Sequence, residues 1–489
     1  MDDGAMKKNS IYLVLLSFIS ILWAGSLKAL SSECLPGKLA DNMGHVLPCY
    51  LEQKEPDFNW KIIGKDTETV TIDNKKQQVT RYFMNLTSLY WKQGEQGKVD
   101  FPLWKHRLTI YQPEKVTKNT ALLYINSGVI HPKKKNTEPV YKEVLPFAAI
   151  AARTNSVVIN LNDVPNQYLR FNKGDPLKED QLIAYTWYQF MRDPNKNYNW
   201  PLRLPMVKSV IAAMNAVQTQ LRKEHVSINH FVLSGASKRG WTAWIAAAMD
   251  PRVTAVIPLV ADFINLPDMI QHLFKVYKKG NPAIAPYMPL MPKLGTESMS
   301  KLFSVVDPFQ YRKFLTMPKF MVSASGDDFV PADTTQFFFH ALPAKKWMRV
   351  LPNSSHYIFR EDPARVSRTL ESFYGAITEG HKLPEFTWEH DKGNLTITSS
   401  TKPKTVKLWQ ASNTVSRDFR KVVSNSDVSS FTPTDLKFNC TSKCKLTVAL
   451  PQPKKGWAAS FVEVSYSNAP YPDLIFTTRL FVTPDRYAN

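Results

Sequence analysis

The texture of hydrophobic and polar positions changes three times along this chain. From residue 30 to about 115 apolar and polar residues alternate in patches, as in VTIDNKKQQVTRYFMNLTSLYW and WKHRLTIYQP. That alternation predicts extended strands separated by turns. From 121 the pattern shifts to short apolar runs, ALLYINSG, SVVINLNDVP, HFVLSGAS, TAVIPLVAD, PKFMVSASGDD and WMRVLPNSSH. Helical patterns stand between them, including VLPFAAIAART, WTAWIAAAM and DTTQFFFHAL. In the helix beginning at Met206, apolar residues recur at 206, 207, 210, 211, 214 and 217, one stripe at a 3.6-residue period. Buried strands alternating with helices predict a parallel α/β sheet. After 383 the alternation of Thr, Ser, Val and Lys in NLTITSS, KTVKLWQAS, CKLTVALP and FVEVSYS predicts a β-sandwich of immunoglobulin-like type.

One stretch interrupts the α/β pattern. Residues 263–318, rich in Met, Pro, Tyr and Leu, are too many for a simple connection and read as an inserted cap over the mouth of the sheet. The expected plan is therefore a signal at 1–29, an α/β domain over 30–384 with the cap at about 263–318, and a β-sandwich over 385–489. The signal rests on Lys7 and Lys8 before the apolar run Ile11 to Trp23, followed by Ala24, Gly25, Ser26 and Ala29. That run is shorter than the roughly 20 residues a membrane span needs. No later run is long enough either, so no span is expected in the mature chain, whose destination is secreted or periplasmic.

Export makes oxidised cysteines the natural state. The four cysteines form two sequence-local pairs, and the expected disulfides are Cys34 with Cys49 and Cys440 with Cys444. Neither pair has a histidine at zinc spacing, so no metal and no cofactor are expected. The formal charge is +20, and without residues 1–29, which hold three lysines and two aspartates, it is +19. A basic surface attracts anionic partners, so an anionic surface is an expected partner. No nucleic-acid motif accompanies the charge, and nucleic acid is not expected.

The chemistry centres on HFVLSGASKRGW, residues 230–241. A strand ends at a serine flanked by Gly235, Ala236 and Gly240, small residues that let the backbone crowd itself at a strand-to-helix turn. The spacing G-x-S-x-x-G approximates a nucleophile elbow, with Arg239 where the nearer glycine would stand. A serine hydroxyl needs a general base, itself oriented by a carboxylate. Two later strands end in GDDFVP and NSSHY, which offer Asp327 or Asp328 and then His356, in the chain order of α/β hydrolases. The D-x-x-V-P spacing selects Asp327. The oxyanion donors are expected at the amide of Lys238 and at that of Gly128 or Val129 in the NSGV turn. Lys238, Arg239, His131 and Lys133 to Lys135 would form a cationic rim, so Arg239, His131 and Asp328 are candidate substrate-binding residues for an acidic small-molecule or peptide substrate.

These blocks are together similar to a known family. HRLTIYQPEKVTKNTALLYINSG, WPLRLPMVKSVIAAM, LSGASKRGWTAWIAAAMDPRVTAVIP, VDPFQYR, PKFMVSASGDDFVP and RVLPNSSH, in that order, resemble the PhoPQ-activated pathogenicity-related family over about 45–380. The resemblance implies an α/β-hydrolase fold, export, and a link to virulence or to resistance against membrane-active peptides, with no substrate specified. It implies Ser237 through S-G-A-S-K-R-G-W. The family's acid turn, G-D-E-F-F-L-P, appears here as GDDFVP and keeps Asp327. The elbow also resembles that of glucuronoyl esterases over a few residues. The expected activity is a serine hydrolase acting on an ester or amide. Its rivals are a secreted peptidase of aminopeptidase or dipeptidyl-peptidase type, and a non-catalytic binding or signalling protein on the same scaffold.

Overall fold

The computed structural model describes residues 34 and 36–487, apart from 93–97, 133–142, 279–280, 344, 422–427 and 441–443. The expected signal and Lys133 to Lys135 lie outside the described residues. At the centre is a nine-stranded sheet of β1 (Asn59–Ile72), β2 (Lys75–Tyr90), β3 (Leu103–Pro113), β4 (Thr120–Ile125), β5 (Val158–Leu161), β6 (His230–Ala236), β7 (Val253–Leu259), β8 (Lys319–Ala324) and β9 (Lys346–Leu351). Their order is β1-β2-β3-β5-β4-β6-β7-β8-β9. β1, β2 and β3 form an antiparallel meander, β3 is antiparallel to β5, and every pairing from β5 to β9 is parallel. This is the α/β-hydrolase strand order with one extra antiparallel strand, β1, at its edge. The edge position explains why β1 alternates exposed and half-buried residues, while β4 to β9 are buried nearly throughout.

The helices are α1 (Pro36–Asp41), α2 (Val46–Glu52), α3 (Phe147–Thr154), α4 (Glu179–Arg192), α5 (Arg203–Lys223), α6 (Lys238–Met249), α7 (Leu266–Val276), α8 (Glu297–Val306), α9 (Ile358–Glu361) and α10 (Pro363–Glu379). α5 buries the stripe read from the sequence, with Ile211 half-buried at its margin, because it lies between β2 and α6. The helix expected from DTTQFFFHAL does not form: only a single 3₁₀ turn, Thr334–Phe337, is present. β-Branched and aromatic residues lose rotamer freedom in a helix, and burying Phe338 and Phe339 outweighs the weak local preference.

In the stretch expected as a cap, between β7 and β8, stand α7, a 3₁₀ run Pro282–Lys293, α8 and a second 3₁₀ segment Pro308–Phe314. Pro286, Pro289 and Pro292 remove the donors an α-helix would need, which leaves Pro282–Lys293 in tighter turns. The C-terminal strands form a sandwich of two antiparallel sheets. One joins Phe386–Asp391, Asn394–Ser399, Cys444–Ala449 and Asn439–Cys440; the other centres on Thr405–Asn413 and Trp457–Tyr466. This module closes the free edge of the central sheet, where the Val350 amide donates to Thr477 Oγ1 at 2.9 Å. Phe476 packs there on Phe320 and Trp347, with ring centroids 5.6 and 5.8 Å away. Both expected disulfides are present, Cys34–Cys49 and Cys440–Cys444. Among the described residues no helix is long and apolar enough to cross a membrane.

Candidate active site

Ser237 joins β6 to α6 with φ 55° and ψ −126°, a conformation non-glycine residues avoid at a cost of about 1–3 kcal/mol. Two backbone bonds hold it there, from its own amide to Leu259 O at 2.8 Å and from the Trp241 amide to its carbonyl at 2.9 Å. The flanking glycines supply room rather than unusual dihedrals. A Cβ on Gly240 would stand 2.6 Å from Ala261 Cβ and 2.7 Å from Gly235 O, and one on Gly235 would stand 2.9 Å from the Arg239 carbonyl carbon. α6 can therefore press against β6 only through these two positions. Beneath the turn, the buried Arg203 donates to Lys238 O and to Thr242 Oγ1.

The turns after β8 and β9 meet each other. His356 Nδ1 is 2.8 Å from Asp327 Oδ2, while Asp327 Oδ1 accepts the amides of Phe329 at 2.7 Å and Val330 at 3.3 Å. With the Nδ1 proton directed at the carboxylate, Nε2 of a neutral imidazole is the acceptor. Nε2 is buried and has no hydrogen-bond partner among the described residues, so the bond to Ser237 Oγ is not formed in this structure. Such bonds often tighten only when substrate is in place. Phe263 and Phe329 line the cavity at Ser237 and also pack on the His356 ring, with centroids 6.4 and 4.2 Å away.

Two further carboxyl groups stand near the imidazole. Asp328 Oδ1 accepts the backbone amide of His356 at 3.2 Å, so it holds the loop rather than the ring. Burial, and then the neighbouring charge of Asp327, raise the pKa of Asp328. Asp262, at the end of β7, is pushed up to about 7 by burial first and by Asp327 second.

Ser237 opens into a partly open cavity lined by residues of the cap. Its polar end carries Ser237, Lys238 and Asp180; the remainder is Trp187, Trp241, Phe263, Phe329 and the apolar faces of α7 and the 3₁₀ run. Of the expected cationic rim, Lys238 and Arg239 are paired with acids of the protein. Lys238 Nζ lies 2.9 Å from Glu179 Oε2 and 3.1 Å from Asp180 Oδ2. Arg239 forms a two-pronged pair with Glu179, at 2.8 and 2.6 Å, and donates to Val164 O. Burial alone would raise the Glu179 carboxyl, but Arg239 and then Lys238 hold it well below its ordinary range. His131 stacks on Phe101 at 3.9 Å and bonds Asn166 through Nε2, and burial lowers its pKa. Arg239 and His131 are thus committed to the protein itself.

The Lys238 amide, in the first residue of α6, is one of the donors that helix geometry leaves without an intrahelical acceptor. In the opposing turn, the Ser127 amide donates to Asn126 Oδ1 and Gln167 Nε2 donates to Gly128 O. A Cβ on Gly128 would overlap Asp163 Oδ1 at 2.0 Å, so only glycine fits this close approach.

Residues 47–420 match the family model described as PhoPQ-activated pathogenicity-related protein. The chain belongs to this family. Among PhoPQ-activated pathogenicity-related relatives, autocrine proliferation repressor protein A of Dictyostelium discoideum is 31% identical over 449 residues, covering 86% of this chain and 88% of that protein. Among solved structures, the chain is similar to acetyl xylan esterase 1 from Thermoanaerobacterium, at 14% identity and a TM-score of 0.41, covering 67% of this chain and 92% of that one. It is also similar to an acylaminoacyl peptidase from Pyrococcus horikoshii, at 12% identity and a TM-score of 0.38, covering 70% and 58%.

Sequence reasoning passed over α4. The signal was available: an acid pair, Glu179–Asp180, opens an amphipathic run LIAYTWYQFM, and a buried Lys238–Arg239 pair requires such counter-charges. Asp262 was read only as a strand end, and nothing local marks it.

Proposed function

We propose that this protein is an exported serine hydrolase cleaving an ester or amide. Ser237 Oγ adds to the carbonyl carbon as His356 Nε2 takes its proton; the leaving group departs with that proton, and water then releases the acyl group from the serine. Asp327 holds the imidazole in the required tautomer and balances its transient charge. The amides of Lys238 and of Gly128 or Val129 receive the developing oxyanion. The observation that supports this reading is the pairing of His356 Nδ1 with Asp327, which leaves a buried, unpartnered Nε2, while Phe263 and Phe329 pack on that ring and also line the cavity at the strained Ser237. The two disulfides support export. What such an enzyme contributes to virulence or peptide resistance depends on what it cleaves.

The amine-binding form of a peptidase is less well supported, because the acid pair Glu179–Asp180 is already occupied by Lys238 and Arg239, and Asp327 and Asp328 are engaged by His356. A purely binding role leaves the strained serine without a purpose. The test is labelling of the purified protein by a fluorophosphonate probe. Ser237→Ala should abolish labelling and lower turnover by about three orders of magnitude or more while the circular dichroism spectrum stays unchanged. Equal labelling of the variant would refute the assignment.

A further inference from the structure

We infer that the substrate carries an uncharged apolar chain beside its scissile ester and that the cavity under the cap receives that chain. The inference rests on the serine-hydrolase reading and names the substrate class for the same site.

The wall chemistry is one-sided. From α7 come Leu266, Met269, Ile270, Leu273 and Phe274, and from the 3₁₀ run Ile284 and Met291, facing Trp187, Trp241 and Phe263. The aromatic wall is built before any ligand arrives: Trp241 stacks on Phe263 at 5.3 Å and 16°, and Trp187 meets Trp241 edge-on at 6.0 Å and Tyr287 at 5.4 Å. The polar atoms at the mouth are paired with one another. Lys238 bridges Glu179 and Asp180, and Tyr287 donates its hydroxyl to Asp180 Oδ1 at 2.9 Å. A substrate carboxylate entering here would shed its hydration and find its counter-ion already taken, and a substrate ammonium would meet the same obstacle with the acids. An apolar chain loses nothing and gains burial. Met269 and Met291 can adjust to chains of different shape.

The reaction balances with water alone. The Ser237 Oγ–carbon bond forms as the ester C–O bond breaks, the alcohol leaves with the serine's proton, and water restores the serine and releases a carboxylic acid. The apolar chain can belong to the acyl half or to the alcohol half of the ester, and two substrate series distinguish them.

The experiment uses the full mature chain with p-nitrophenyl esters from acetate to decanoate and with acetates of ethanol to octanol. We expect kcat/KM to rise about three- to fourfold per methylene in one series until the cavity fills, the fold-change that corresponds to ~0.8 kcal/mol per buried methylene. The series that rises names the half. An ester of equal length ending in a carboxylate should be at least tenfold poorer. Ile270→Trp, at a half-buried position on the cavity wall, should lower the ratio of the best long-chain ester to its short counterpart at least tenfold. If neither series rises, or the carboxylate-ended ester is preferred, while Ser237 still labels with fluorophosphonate, the inference is overturned and the hydrolase stands. If Ser237 neither labels nor turns over any ester, the hydrolase reading beneath it falls instead.

Discussion

His356 touches two consecutive aspartates through different atoms, and the difference assigns them different work. Asp327 meets the ring at Nδ1, whereas Asp328 meets the backbone amide. Removing charge at Asp327 while keeping its shape should leave the ring free to adopt the wrong tautomer, and Asp327→Asn is expected to lower kcat by about 10⁴-fold. Asp328→Asn retains an acceptor for the amide and should stay within about tenfold of the parent. Comparing kcat for the two variants on one ester checks the assignment; equal losses would show that the carboxylates act as a unit. Lys238 works at the same scale in two ways. Its side chain closes an ion cluster with Glu179 and Asp180, while its amide opens α6 and is the proposed oxyanion donor.

At the scale of elements, the junction of β6 and α6 is the most tightly specified part of the chain. The helix approaches the strand through Gly235 and Gly240, and the strained Ser237 is held by bonds to Leu259 and Trp241 on either side. A methyl group at Gly240 has nowhere to go, since Ala261 and the Gly235 carbonyl are both rigid neighbours. Gly240→Ala should destabilise the protein by about 1–3 kcal/mol. It should also reduce fluorophosphonate labelling, because α6 must shift and take Ser237 with it. Urea melts together with labelling rates measure both; an unchanged melt would show that the helix relaxes freely. The cap is built from opposite materials. Its proline-punctuated 3₁₀ run and the apolar α7 line the cavity at the serine rather than hold the serine itself.

At the scale of the whole molecule, the C-terminal sandwich supports both loops that carry the proposed acid and base. The Lys421 amide donates to Gly326 O in the turn before Asp327, and Asn353, three residues before His356, exchanges two hydrogen bonds with the Phe431 backbone at 2.9 and 2.7 Å. Tyr277 of the cap donates to Asp327 O at 2.8 Å, and Arg420 of the sandwich lies over the Tyr277 ring at 4.0 Å. Three parts of the chain thus converge behind one carboxylate. Asn353 has φ 56°, which glycine also accepts, so Asn353→Gly removes the two bonds without adding backbone strain. We expect a loss of about 1–3 kcal/mol from the unpaired Phe431 groups and a fall in kcat larger than any change in KM. A stability loss with kcat unchanged would show that the sandwich is only a passenger.

Much of this was legible in the chain itself, for a local reason: alternation, helical stripes and small residues around Ser237 act over a few residues, so the alternation of strands and helices, the strand-to-helix turn at Ser237 and both sequence-local disulfides follow from short-range pattern. The site's electrostatics were not legible, because charge is decided by what lies across space. Lys238 and Arg239 read as a cationic rim until α4, some 60 positions earlier in the chain, brings Glu179 against them. Asp262 acquires its raised pKa only from burial beside Asp327. The failed helix at 333–342 has the same origin, since tertiary burial of phenylalanines overrode a local preference. Only the folded chain could show that Lys238 and Arg239 are paired and the cavity wall apolar, since hydrophobic burial and ion pairing depend on partners that sequence proximity does not supply.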